Sequence, residues 1–248
     1  MLIICMDGLG GHPELTFGEL KHAFDILHHV VFADIEGIVT HEDRVQSVIR
    51  SFKAGQKMLD KMNESDRRII LIGQSAGGSA VRVAAARLRD DKSLSGIVTM
   101  SQAPSRHILY TTPELTKAMV GRSKDLLLGH NIDLTREEYS SFVMPMNGNL
   151  QKFVDGRQTV PGREARTLAS FFWAPKLERY DRPTLVIYPE KDQWIAPSAH
   201  RTMVRKMREH CTSQLESFEV EGSGHITLAS DRSQEVINKI KGWIETLP

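Results

Sequence analysis

Short, uninterrupted apolar runs recur along the chain. They are Leu2-Ile3-Ile4-Cys5-Met6, Val30-Val31-Phe32-Ala33, the run to Ile72 that follows Arg68, Gly96 to Met100, and Thr184 to Tyr188; a last strand, Glu216 to Val220, is expected without such a run. A continuous run of this length is the pattern of a strand buried on both faces, as in a parallel sheet. Stretches with helical periodicity lie between the runs. Thr40 with Asp43 opens one in which Val45, Val48, Ile49, Phe52, Met58 and Leu59 share a face. Thr16 with Glu19 has the form of a capping box and predicts a helix from about Phe17 to His28. An alanine-rich helix is expected from Ala76 to about Arg89, and an amphipathic one from about Ser233 to Thr246. Strands alternating with helices predict an α/β fold, a mostly parallel sheet with helices on both faces.

The rhythm breaks between Ser105 and Arg182, where helix signals appear without a convincing strand. Pro113 sits just inside a helix start and Gly129 just past an end. Thr135 and Glu138 form a further capping box, and Gly162 to Trp173 reads as helical. The expected organisation is a core of residues 1–104 and 183–248, with residues 105–182 a helical cap inserted over one end of the sheet.

Composition narrows the function classes. The chain has 248 residues, which suits one large α/β domain. Its 32 basic and 31 acidic residues balance to +1, without the basic surplus of a nucleic-acid partner. Cys5 and Cys211 make no C-x-x-C pair and lie at no metal-ligand spacing, so neither a disulfide scaffold nor a metal site is expected. The opening apolar run ends at Asp7, too short for a signal peptide or a membrane span. These features predict a cytoplasmic protein.

Chemistry concentrates in a few places. Gly73-Gln74-Ser75-Ala76-Gly77 matches G-x-S-x-G directly after a buried strand and at the start of a helix, the setting of a nucleophile elbow. A serine needs a base. His225 is the candidate, in the Gly222-Ser223-Gly224-His225 loop that follows the last strand. The base needs an acid to fix its tautomer. Asp192 lies just past a strand's C-terminal end, with Glu190 its local competitor. Oxyanion donors are expected from the backbone N–H of Ala76 and from that of Leu9 in the Asp7-Gly8-Leu9-Gly10-Gly11 loop. That loop does not match the dinucleotide fingerprint G-x-G-x-x-G, and Asp34 and Glu36 both remain open as its acidic partner. No cofactor is called for.

These residues and their order, Ser75 then Asp192 then His225, resemble the α/β-hydrolase superfamily along essentially the whole chain. Two departures stand out. The family's early antiparallel strands are not expected here, and the loop reads Asp-Gly where relatives commonly have His-Gly, which places a negative charge near the site. The resemblance implies a serine hydrolase that cleaves a carboxylic ester or thioester of a small, partly apolar substrate through an acyl-enzyme. It also leaves open an acyltransferase, a lyase or C–C hydrolase on the same triad, and a triad-bearing small-molecule receptor. Gln74, and Phe142, Met144, Met146, Phe172 and Trp173 of the insertion, are the expected substrate-binding residues, against the alternative that the insertion residues form its own core. The oligomeric state is not legible.

Overall fold

The computed structural model describes residues 1–25, 28–108, 112–138, 155, 159–169 and 174–248. Its strands are β1 (Leu2–Met6), β2 (His29–Phe32), β3 (Ile69–Gln74), β4 (Leu94–Met100), β5 (Thr184–Pro189) and β6 (Leu215–Val220). They form one sheet in the order β2-β1-β3-β4-β5-β6, and every neighbouring pair is parallel. The helices are α1 (Pro13–Phe24), α2 (His41–Lys61), α3 (Ala76–Arg87), α4 (Pro113–Gly121), α5 (Ser123–Leu128), α6 (Gly162–Ala169), α7 (Pro197–His210) and α8 (Ser233–Glu245). Among the described residues, no helix is long and apolar enough to cross a membrane.

The apolar runs are continuous because both faces of the sheet are covered. Leu2, Ile4 and Met6 of β1 and Leu71 of β3 pack with α2, α3 and α7. Their neighbours Ile3, Cys5, Ile70 and Ile72 pack on the opposite side with α1 and α8. Each such side chain contributes about 1.5–3 kcal/mol by leaving water. A parallel sheet also gathers the C-terminal ends of its strands on one edge. Asp7, Ser75, Ser101 and Asp192 follow β1, β3, β4 and β5 there, and His225 lies shortly beyond β6.

Several expectations on local structure are corrected. The Thr16 capping box does not form. Pro13, whose fixed φ suits a first helical position, starts α1 earlier, with His12 as an N-cap that makes no side-chain bond. The Thr16 hydroxyl turns to Asp7 Oδ2 instead, at 2.7 Å. The stretch from Pro113 to Gly129 holds two helices, broken at Arg122 (φ −114, ψ 15) and closed by left-handed Gly129. The Thr40–Asp43 box forms as expected, as do the reciprocal bonds of Thr135 and Glu138. The helix at Gly162 is described to Ala169, and residues 170–173 lie outside the described part.

Among the described residues, the chain between β4 and β5 adds helices and an Ile132–Val160 bridge but no strand to the sheet. Its two ends meet on Arg82 of α3, a fully buried residue that donates to the Ser105 hydroxyl (2.9 Å) and to the Lys176 carbonyl (3.1 Å). Burial pushes the Arg82 guanidinium down to about 10.

Candidate active site

The turn after β3 is tight enough to select its residues. Ser75 has φ 54 and ψ −118, a conformation rare for a side-chain-bearing residue and costly by about 1–3 kcal/mol unless its surroundings enforce it. Enforcement comes from its own backbone: its N–H donates to Met100 O (2.8 Å), and its carbonyl accepts from Ala103 (2.9 Å) and Ser79 (3.2 Å). A Cβ at Gly77 would stand 2.1 Å from Met6 O, and one at Gly73 2.3 Å from Gly77 O, so the small flanking residues are required by close approach. Ala76 is the first residue of α3, and its N–H therefore has no acceptor within the helix.

The loop after β1 is fastened from behind. Asp7 Oδ1 accepts from Gly8 N–H at 2.7 Å and Oδ2 from Thr16, while Arg44 Nη1 donates to the Asp7 carbonyl at 2.7 Å. Burial pushes the Asp7 carboxyl up, against the opposing pull of Thr16, Gly8, Arg44 and His12. A Cβ at Gly8 would come within 2.8 Å of Ser75 Cβ. The loop's backbone thus lies directly against the serine, and with Gly8 N–H engaged, Leu9 is the next amide along it.

Asp192 is buried and has four donors. Oδ1 accepts from the backbone of Trp194 (2.8 Å) and Ile195 (3.0 Å), and Oδ2 from His225 Nδ1 and His200 Nε2, both at 2.8 Å. Burial alone would raise this carboxyl. The two histidines overturn that, by charge and by hydrogen bonding, and hold it well below the ordinary carboxylate range. Glu190, the sequence competitor, turns away and accepts from Gly222 N–H at 2.8 Å. The His225 carbonyl accepts from Gln74 Nε2 (2.8 Å) and Ser101 Oγ (2.6 Å), which ties its loop to the ends of β3 and β4. Trp194 stacks on the His225 ring, 5.8 Å between centroids.

A narrow cleft of about 30 Å³ lies above this edge, lined by Asp7, Gly8, Leu9, Gly11, Gln74, Ser75, Trp194, His225 and Ile226. Ser75, His225, Leu9 and Gln74, all singled out from sequence, therefore meet at one cavity. Asp192 reaches it through His225, and Ala76 lies under it as the residue after Ser75. Gln74 spends its amide nitrogen on His225, while its buried Oε1 has no partner among the described residues. Phe142, Met144, Met146, Phe172 and Trp173 lie outside the described residues. Sequence reasoning missed Trp194, Ser101, His200 and Leu168. Leu168 of α6 packs with Ala76 and Ala103, and Leu9 lies against the same cluster. The spacing of Ala199, Met203, Val204 and Met207 behind Pro197 would have revealed α7, and with it His200.

A family model described as the alpha/beta hydrolase family matches residues 8–239. A search of the curated proteins gives no match. Among solved structures, a thermophilic esterase from Thermogutta terrifontis superposes with a TM-score of 0.69 at 15% identity, covering 99% of this chain and 89% of that one. A monoacylglycerol lipase from Paleococcus ferrophilus gives 0.67 at 17% identity, covering 98% and 93%. A lipase-esterase related protein from Clostridium acetobutylicum gives 0.66 at 16%, also covering 98% and 93%. At these identities the superpositions speak for the fold. The family match, spanning the β1 loop, the turn at Ser75, Asp192 and His225, speaks for the lineage, and the chain is an enzyme of the alpha/beta hydrolase family.

Proposed function

We propose that the protein is a serine hydrolase that cleaves a carboxylic ester or thioester of a small, partly apolar substrate through an acyl-enzyme. The observation that carries the reading is the His225 ring. Its Nδ1 is 2.8 Å from buried Asp192, and the ring lines the same cleft as Ser75, which sits in a strained strand-to-helix turn. With its proton fixed on Nδ1 by the carboxylate, His225 presents a bare Nε2 to accept a proton.

In this reading Nε2 takes the Ser75 hydroxyl proton as Oγ attacks the carbonyl carbon. The oxyanion is held by the N–H groups of Ala76 and Leu9, each worth about 3 kcal/mol of barrier in such sites. His225 then gives its proton to the leaving alcohol or thiol, and repeats the cycle with a water that releases the acid. Asp192 stays ionised throughout and stabilises the imidazolium. An amide is a poorer candidate because its leaving group is worse. Residues 105–182 serve as a cap in this scheme. The support is α6, whose Leu168 packs on Ala76 and Ala103 beside Leu9, where it would border the acyl group. That the solved neighbours include an esterase and a monoacylglycerol lipase agrees with an ester substrate.

A fluorophosphonate probe tests the nucleophile. The native protein should be labelled on Ser75, and Ser75→Ala should abolish both labelling and turnover of a panel of aryl esters and acyl thioesters of graded chain length. Labelling that survives in Ser75→Ala refutes the assignment.

A further inference from the structure

The acid of the proposed triad serves two imidazoles, and only one of them has a role in that mechanism. Asp192 Oδ2 lies 2.8 Å from His225 Nδ1 and 2.8 Å from His200 Nε2, while Oδ1 is filled by two backbone N–H groups. A carboxylate has about four lone-pair sites, so this one is saturated. His200 is 3% exposed and sits in the first turns of α7, with its ring stacked on Tyr188 of β5 (5.9 Å, 24°). The His225 ring is backed in the same way by Trp194 at 5.8 Å and 26°. Two rings, each held against an aromatic plane, thus converge on one oxygen.

We infer that His200 is a positioning residue for the reaction: it locks the Asp192 carboxylate laterally and limits how strongly Asp192 draws a proton onto His225. The inference rests on the serine-hydrolase reading. The backbone donors already fix Oδ1, so the second imidazole is not needed simply to satisfy Asp192. What it adds is a donor on the same oxygen that His225 uses. Every donor on a carboxylate spreads its charge, and the remaining bonds weaken. Asp192 thus has one oxygen to share between the His200 contact and the His225 imidazolium formed during turnover.

The other ionisable groups near the trio are distributed among several elements. Tyr188 faces His200 from β5. Beyond it Glu219 of β6 lies 3.5 Å from the Tyr188 hydroxyl, and Arg201 of α7 pairs with Glu219 at 2.9 Å. Glu190 is directed to Gly222. Among these contacts no carboxylate other than Asp192 lies against the His200 ring.

The test is the pH dependence of fluorophosphonate labelling at Ser75 in the full chain, for native protein, His200→Phe and His200→Gln. Glutamine places an amide N–H at nearly the reach of histidine Nε2 but takes up no proton. Loss of one charge-assisted donor in His200→Phe should move the acid limb to higher pH by about one unit. His200→Gln should return most of the way to the native profile. An unmoved limb in His200→Phe overturns the inference, and so does an equal shift in both variants. A nitrogen-15 spectrum of histidine-labelled native protein covers the case in which His200→Phe fails to fold. It should place a strongly downfield proton on both His225 Nδ1 and His200 Nε2, with both lost in Asp192→Asn. Finding His200 Nε2 unprotonated at neutral pH overturns the inference. Absence of labelling at Ser75 in native protein would sink the serine-hydrolase reading itself, and the spectrum would still decide the role of His200 on Asp192.

Discussion

Replacing Glu164 by Gln should be among the most damaging single changes outside the cleft. Glu164 lies on α6, fully buried, and receives two hydrogen bonds from Arg44, from Nε at 2.7 Å and from Nη2 at 2.9 Å. His41 adds a longer contact at 3.4 Å. Burial alone would raise the Glu164 carboxyl. Arg44 and His41 together outweigh that and hold it low. Removing the charge leaves the Arg44 guanidinium, 2% exposed, without the carboxylate it is hydrogen-bonded to. Breaking a buried pair in this way costs about 3–5 kcal/mol, where an exposed pair costs about 0–1. At about 2–4 °C per kcal/mol for a chain of this size, Tm should fall by roughly 6–20 °C. Equilibrium urea unfolding of Glu164→Leu, Arg44→Met and the pair Arg44→Met/Glu164→Leu closes a double-mutant cycle, with Glu164→Gln run beside it. The pair should cost clearly less than the sum of the single changes, because no charge is left stranded. A deficit of about 1–3 kcal/mol should remain from the Asp7 carbonyl, which loses its Arg44 donor. Single changes costing under about 1 kcal/mol, or strict additivity, would refute the argument that this pair stitches α6 to the loop behind Ser75.

Two further outcomes follow from contacts at the same edge. Gly8→Ala sets a Cβ 2.8 Å from Ser75 Cβ and 3.3 Å from Oγ, so labelling of Ser75 should slow about 100-fold, the cost of a displacement near 1 Å at a reacting atom; Gly18→Ala in α1, where nothing lies within 4 Å, should leave labelling unchanged and gain about 0.5–1 kcal/mol of stability. Acid should unfold the protein through carboxyls held low in the fold: Asp192 and Glu164 contribute stability that is complete above their ordinary 3.8 and 4.5 and is lost as pH falls through their depressed values. The urea midpoint should therefore fall between pH 5 and pH 3, less steeply in Glu164→Gln, and an equal fall in that variant would exclude Glu164 from the effect.

The strands and the core helices were legible because burial on both faces leaves a two-sided apolar signature that little else produces, as in Leu2 to Met6 and Ile69 to Ile72. Ser75 was legible for a local reason: the turn needs Gly73 and Gly77, and those residues can be seen in the sequence. Asp192 and His225 were found by their place after strands, a consequence of parallel topology. What the sequence concealed depends on contacts across the chain. Thr16 looked like a cap because its local spacing was right, yet Asp7, nine residues earlier, took its hydroxyl. Arg44 and Glu164 are 120 residues apart and each reads as an ordinary surface charge until α6 folds over α2. The spacing of Ala199, Met203, Val204 and Met207 marks the helix that carries His200, but eight residues of separation from Asp192 gave no hint that the two side chains touch.

The Arg82 clamp has a consequence for how this enzyme could diversify. The polypeptide departs at Ser105 and returns at Lys176, and one side chain receives both. Apart from α6, whose Glu164 and Leu168 hold to the core, what is strung between those two points can lengthen, shorten or be exchanged without moving the scaffold beneath, as a bag can be refilled while its drawstring stays tied. Selection for a new substrate could rewrite that stretch while leaving the reacting atoms where they are.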